Sequence, residues 1–316
     1  MTKLAVVQKA PVFLDKQATL ELAVQTVDEA AAQGANLIVF GEAFIPGYPS
    51  WIWRVRPGAD WDLSQELHER LLRNAVNLDS DDLSPLFHAA QRNGVTIVCG
   101  IEERDNRLSR ATLYNSVVVI GPEGNLLNRH RKLMPTNPER MVWGFGDATG
   151  LRVIDTPSGR IGSLVCWENY MPLARYALYA QGVEIYIAPT NDSGDDWIAS
   201  LQHIAREGGC WVVGCGNLIQ GSDFPADLPQ KSTLYPDAEE WVNPGDSVVI
   251  APGGKIVAGP MREEAGILYS EIDPAEVGIA KRALDVAGHY SRPDIFRLNI
   301  NTSPQSPVVF DAGSRD

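Results

Sequence analysis

The stretch Ile161-Gly162-Ser163-Leu164-Val165-Cys166-Trp167-Glu168-Asn169-Tyr170-Met171-Pro172 sets a cysteine between an apolar run and a proline. Five apolar or small residues of strand length come first, and Pro172 stands where proline is tolerated, near the start of a helix. The stretch therefore reads as a buried strand running into a helix, with Cys166 at the strand's tip. In α/β proteins that is where reactive groups and ligands meet.

Outward from Cys166 the same alternation continues. Toward the N-terminus, Ser158-Gly159 separates Leu151–Asp155 from the Cys166 strand as a hairpin. Leu4–Gln8 and Leu37–Phe40 are strands, and between them Leu20, Ala23, Val24, Val27, Ala30 and Ala31 recur at helical spacing, with Gly34 as C-terminal cap. Leu83, Leu86, Phe87 and Ala90 mark a helix closed by Gly94. Val95–Cys99 and Leu113–Ile120 are strands, and Pro122-Glu123-Gly124-Asn125 is a turn.

Toward the C-terminus, Leu173–Ala180 is a helix and Val183–Ala188 a strand. Trp197, Leu201, Ile204 and Ala205 form a helix with Asp195 or Asp196 at its N-cap, and Cys210–Cys215 returns to strand. Ser247–Ala251 and Lys255–Ala258 flank a Pro252-Gly253-Gly254 turn. Residues 48–62 and 220–246 show no period; the latter reads as a surface insertion, and both are candidate places for subunit contacts. No linker or internal repeat divides the chain. The expectation is one α/β domain over residues 1–290, a mixed sheet covered by helices, followed by a polar tail, 291–316, with a mobile end.

At 316 residues, 44% hydrophobic and 21% charged, the chain can bury a large core. A formal net charge of −13 argues against a nucleic-acid or anionic-membrane partner. The N-terminal apolar stretch is too short for a signal-peptide core, and no segment approaches the ~20 apolar residues of a membrane span. Cys99, Cys166, Cys210 and Cys215 have no C-x-x-C spacing, which suits reduced thiols of a cytoplasmic protein. Scattered histidines give no metal-ligand spacing, and Gly144 to Gly150 departs from a dinucleotide glycine pattern, so no cofactor is expected.

Polar residues stranded at the ends of apolar runs remain. Glu42 follows Leu37–Gly41, and the basic island Arg129–Lys132 is followed by Glu139. Singly, each has an ordinary reading: Glu42 a strand-end surface carboxylate, Lys132 a solvated base, Glu139 a turn carboxylate, Cys166 a buried structural thiol.

Together they resemble something specific. Gly41-Glu42-Ala43-Phe44-Ile45-Pro46-Gly47-Tyr48-Pro49, His130-Arg131-Lys132-Leu133-Met134-Pro135-Thr136 and Cys166-Trp167-Glu168-Asn169-Tyr170-Met171-Pro172-Leu173 look like the three signature blocks of the nitrilase family, in the right order. The resemblance extends through Glu139–Gly146 and Gly288–Asp294, and Cys-Trp-Glu-Asn with Met-Pro-Leu is similar to its nitrile-hydrolysing branch. It implies a four-layer αββα sandwich, a thiol nucleophile at Cys166, a general base at Glu42, a cationic stabiliser at Lys132 and a supporting carboxylate at Glu139. It also implies pairing into homodimers or larger spiral oligomers.

The chemistry suits these residue types. A free thiol is only slightly ionised near neutrality, and a carboxylate within reach can take its proton as attack on the nitrile carbon begins. A fixed ammonium and a backbone N–H, with Trp167 as candidate, would stabilise the charge that develops. Tyr48, Trp51 and Trp53 cluster after Glu42, and Trp167 adjoins the nucleophile. Such aromatic residues line apolar pockets or serve as core and subunit contacts. The expected substrate is an organic nitrile with an apolar substituent. Cyanide, or an amide or carbamoyl compound handled by the same Glu–Lys–Cys set, is the alternative.

Overall fold

The computed structural model describes residues 1–107 and 109–308. Its strands are β1 (Thr2–Gln8), β2 (Leu37–Phe40), β3 (Thr96–Arg104), β4 (Leu113–Ile120), β5 (Leu126–Arg131), β6 (Ile154–Thr156), β7 (Gly159–Ser163), β8 (Ile185–Thr190), β9 (Trp211–Gly216), β10 (Leu218–Gln220), β11 (Trp241–Ile250), β12 (Ile256–Arg262) and β13 (Gly266–Ile272). The helices are α1 (Lys16–Ala32), α2 (Trp61–Asn74), α3 (Ser84–Asn93), α4 (Pro172–Ala180), α5 (Asp195–Gly208), α6 (Lys231–Leu234) and α7 (Glu276–Ala280).

Two mixed sheets result. One has the order β13-β1-β2-β3-β4-β5, and the other β10-β11-β9-β8-β7-β6 with β12 against β11. In the first, β1, β2 and β3 run parallel and β4 turns back; in the second, β7, β8 and β9 run parallel and β11 turns back. The same succession thus appears twice, with α1 and α3 serving the first sheet and α4 and α5 the second.

Alternation along the strands sorts the layers. Leu4, Val6, Leu37, Val39 and Val98 meet Ile185, Ile187, Val213 and Val249 between the sheets. Their chain neighbours Ala5, Val7, Ile38, Phe40 and Ile97 face α1 and α3, while Tyr186, Ala188, Val212 and Ile250 face α4 and α5. Strands buried on both faces read as continuous apolar runs, because each face has its own core. This is the αββα sandwich the resemblance implies.

Several boundaries differ from expectation. α5 is capped by Gly194, and Asp195 and Asp196 lie in its first turn, where their charge favours the helix dipole. β7 ends at Ser163, so Leu164 and Val165 approach Cys166 outside the ladder. Residues 220–246 are not a loose insertion: Phe224, Leu228, Leu234 and Tyr235 are buried with Trp51, Ile52 and Leu67. Phe224 stacks on Tyr235 at 3.6 Å and meets Phe13 edge-on at 4.5 Å. The two aperiodic stretches therefore pack on each other and form one wall beside the site. In the tail, Leu298 packs against the α4–α5 core; the chain end expected to be mobile lies outside the described residues. Among the described residues, no helix is long and apolar enough to cross a membrane.

Candidate active site

Three loops at one end of the sheets carry the predicted residues. Glu42 leaves β2, Lys132 follows β5 with Glu139 in the turn beyond, and Cys166 follows β7. Each loop turns through a non-glycine residue in the left-handed region: Ala43 at φ 48°, Asn137 at φ 42° and Cys166 at φ 52°. Such a conformation costs on the order of 1–3 kcal/mol and persists only where the surroundings over-determine it. The Glu42 loop also needs Gly100, where a Cβ would stand 2.2 Å from the Gly41 carbonyl oxygen and 2.9 Å from Glu42 Cα.

Lys132 is no solvated base. It is 1% exposed, and its Nζ donates to Glu42 Oε1 at 2.9 Å and Glu139 Oε2 at 2.7 Å. The composition of the basic island misleads because β5 alternates: His130 and Lys132 turn inward, while Arg129 and Arg131 bind Glu103. Glu42 also accepts from Asn115 Nδ2 at 2.7 Å and from the Asn191 N–H at 2.6 Å. Glu139 accepts from Tyr48 Oη at 2.8 Å and the Thr136 N–H at 2.6 Å. The Glu–Lys–Glu triplet is thus fixed by four further donors drawn from separate elements.

Electrostatics follow from burial and this pairing. Burial pulls the Lys132 pKa down, but the charges of Glu42, Cys166 and Glu139 more than reverse it, so the ammonium is held. Burial raises the Glu42 carboxyl above its usual range, against the pull of Lys132. Burial likewise pushes the Cys166 thiol up, Glu42 adds to this, and Lys132 works against it. The sulfur is therefore a thiol at rest with a basic carboxylate nearby.

Sequence reasoning missed Glu168, Asn169 and His130. Glu168 Oε1 accepts the Leu133 N–H and Oε2 the Val165 N–H, both at 2.8 Å, while His130 Nε2 lies 3.0 Å from both oxygens. Leu133 follows Lys132 and Val165 precedes Cys166, so one carboxylate ties the Lys132 loop to the Cys166 loop. Asn169 Nδ2 donates to the Leu164 and Cys166 carbonyls, and its Oδ1 accepts from Tyr186. The available signal was a carboxylate and an amide in an otherwise apolar and aromatic stretch. Glu168→Gln leaves one of the two backbone N–H groups facing an amide N–H₂. It is expected to lower stability by about 1–3 kcal/mol and kcat with it, read by thermal unfolding and steady-state assay.

A cleft of about 290 Å³ opens over Cys166, Glu139 and Tyr48 and is walled by Trp53, Trp167, Asn191 and Asp192. Trp53 and Trp167 are half-exposed; Trp53 donates to Tyr48 Oη at 3.0 Å and Trp167 to Asp192 Oδ2 at 2.7 Å. Trp51, grouped with these in the sequence, is buried in the core instead. All six predicted site residues, Glu42, Tyr48, Lys132, Glu139, Cys166 and Trp167, belong to this one region.

A family model described as carbon-nitrogen hydrolase matches residues 3–282. The chain belongs to the carbon-nitrogen hydrolase family. It is 40% identical over 312 residues to nitrilase 3 of Arabidopsis thaliana, covering 98% of this chain and 89% of that one. It is 40% identical over 312 residues to the aliphatic nitrilase of Sinorhizobium fredii (strain HH103), covering 98% and 99%. The fold matches a carbon-nitrogen hydrolase structure from Helicobacter pylori G27 with a TM-score of 0.67 at 21% identity, over 89% of this chain and 92% of that one. In this carbon-nitrogen hydrolase, then, the sheets belong to a fold seen elsewhere.

Proposed function

We propose that the chain hydrolyses an organic nitrile to the carboxylic acid and ammonia through a covalent intermediate on Cys166. The observation that carries the reading is the buried Lys132 ammonium held between Glu42 and Glu139 beside a cysteine at the floor of a cleft. The 40% identity to nitrilases over nearly the whole chain supports the nitrile as substrate.

In this mechanism Glu42 takes the thiol proton as Sγ attacks the nitrile carbon, and the nitrogen gains a proton to give a thioimidate. Water adds, the tetrahedral centre expels ammonia, and a thioester remains. A second water releases the acid and returns the proton to sulfur. Lys132 and the Trp167 N–H stabilise the negative charge at each tetrahedral stage, one such donor being worth about 3–4 kcal/mol of barrier. Glu139 keeps Lys132 charged and, with the Tyr48 hydroxyl on its other oxygen, in place. The exposed faces of Trp53 and Trp167 favour an apolar substituent, aromatic or aliphatic.

The test is ammonia release from a panel of nitriles and their matching amides. Ammonia and free acid from nitriles, with the amides turned over much more slowly, is the expected outcome. Ammonia from the amides alone would assign the site to amide hydrolysis. The catalytic unit we assign to residues 1–290, in a cytoplasmic protein that pairs with itself. Exposed Tyr170 and Leu173 at the start of α4 support the pairing, and light scattering from a stable monomer would contradict it.

A further inference from the structure

Two buried oxygens behind the site lack a hydrogen-bond partner: Glu102 Oε1 and Asn115 Oδ1. The two residues stand opposite each other in the antiparallel β3–β4 register. Side chains so opposed share a face, with Cβ atoms about 4.5–5.5 Å apart. Two acceptors cannot satisfy each other, but one proton between them satisfies both. The remaining atoms are already engaged. Glu102 Oε2 accepts the Trp143 indole N–H at 2.6 Å, and Asn115 Nδ2 donates to Glu42 Oε1 at 2.7 Å.

We propose that Glu102 is a positioning residue for the hydrolysis, held as the neutral acid, donating its hydroxyl to Asn115 Oδ1 while its carbonyl oxygen takes the Trp143 indole. The role assigned to it rests on Glu42 being the general base. With Oδ1 engaged by Glu102, the Asn115 amide presents only its N–H₂ to Glu42 and fixes that carboxylate's rotation. On the other flank, Trp143 lies with its ring centroid 5.7 Å from Lys132 Nζ and meets Tyr48 edge-on at 5.5 Å. One protonated acid thereby steadies both the base and the floor beneath the ammonium.

Among the described residues, no cation forms an ion pair with Glu102. Lys132 is held by Glu42 and Glu139, and Arg129 and Arg131 are paired with Glu103. Glu102 is fully buried, and a carboxylate there with one N–H donor would be strongly disfavoured. Burial drives its carboxyl well above the ordinary range; the Trp143 N–H pulls it back, the charges of Glu42 and Glu139 add to the rise, and the Lys132 charge opposes it without reversing it.

The experiment compares Glu102→Gln with Glu102→Leu. Glutamine can donate to Asn115 Oδ1 and accept from Trp143, so it is expected to retain kcat and both limbs of the pH profile within about threefold. Leucine can do neither; about a hundredfold loss of kcat is expected, with KM little changed, as for a misplaced catalytic group. Infrared difference spectroscopy of the folded enzyme at neutral pH should show a protonated-carboxyl carbonyl band in the wild type that Glu102→Gln removes. Absence of that band, or a loss in Glu102→Gln as large as in Glu102→Leu, overturns the proposal. If Glu102→Leu does not fold, the glutamine and infrared arms still decide. The band is read without substrate, so failure of nitrile turnover in the wild type would sink the functional reading and leave the protonation result standing.

Discussion

Cys166→Ala is expected to lower ammonia release by about 10⁴-fold or more, the order seen when a covalent nucleophile is removed, with the folded spectrum unchanged. Cys166 is 5% exposed and lines the cleft at the edge of the inter-sheet core, and alanine tolerates the left-handed turn no worse. The variant keeps Lys132 and the Trp167 N–H, so what remains measures stabilisation without covalent catalysis. The thiol's raised pKa sharpens the argument. Burial and the Glu42 charge oppose a preformed thiolate, so in the proposed mechanism the proton leaves as attack proceeds and Glu42 takes it. A variant without sulfur offers that base nothing to activate except water. Ammonia assays paired with circular dichroism check both halves.

Lys132→Met is expected to damage stability as well as catalysis. It removes the only cation within hydrogen-bond reach of two buried carboxylates, Glu42 and Glu139, among the described contacts. Breaking a buried pair from one side costs about 3–5 kcal/mol, because the opposite charge stays buried. The loss of kcat should reach at least the hundred- to thousandfold typical of one charge-stabilising donor, about 3–4 kcal/mol. The stability deficit also has a pH sign. Burial already raises the Glu42 carboxyl above its usual value, and without Lys132 it rises further. A carboxyl whose folded pKa exceeds its unfolded one favours the fold at low pH and loses that contribution as pH rises through the folded value. The variant should therefore lie nearest wild type in acid and fall away toward neutrality, read as Tm against pH. A deficit independent of pH would mean the carboxylates are not uncompensated.

The layers of the fold were legible because both sheets bury both faces. Leu37–Phe40, Val117–Ile120 and the strands around Tyr186 and Val212 are continuous apolar runs, and helices α1, α3 and α5 carry apolar stripes closed by Gly34, Gly94 and Gly209. β5 was not legible, since only Leu126 and Leu127 are apolar and the strand binds its partners through Arg129, His130 and Arg131. α2 buries only Leu67 and Leu71, too narrow a stripe to stand out after an aperiodic stretch. The wall formed by Phe224, Leu228, Leu234 and Tyr235 depends on contacts with Phe13 and Trp51, far away in the chain, so no local period announces it.

The site divides similarly. Cys166 and Glu42 could be found from the chain, each a reactive group ending an apolar strand. Lys132 could not be placed by composition, because its neighbours Arg129 and Arg131 are cations serving a different carboxylate; only the resemblance picked it out. Glu168 and Glu102 each bond one group more than thirty residues distant, on Leu133 and Trp143, and such pairings exist only once the sheets have formed.

The sharpest measurement is rapid-quench mass spectrometry of the intact enzyme with a turned-over nitrile, followed by peptide mapping. A thioimidate or acyl mass on the Cys166 peptide, rising before ammonia and decaying as acid accumulates, is the predicted result. Full conversion with the adduct on another residue, or with the Cys166 sulfur unmodified throughout a single turnover, would contradict it.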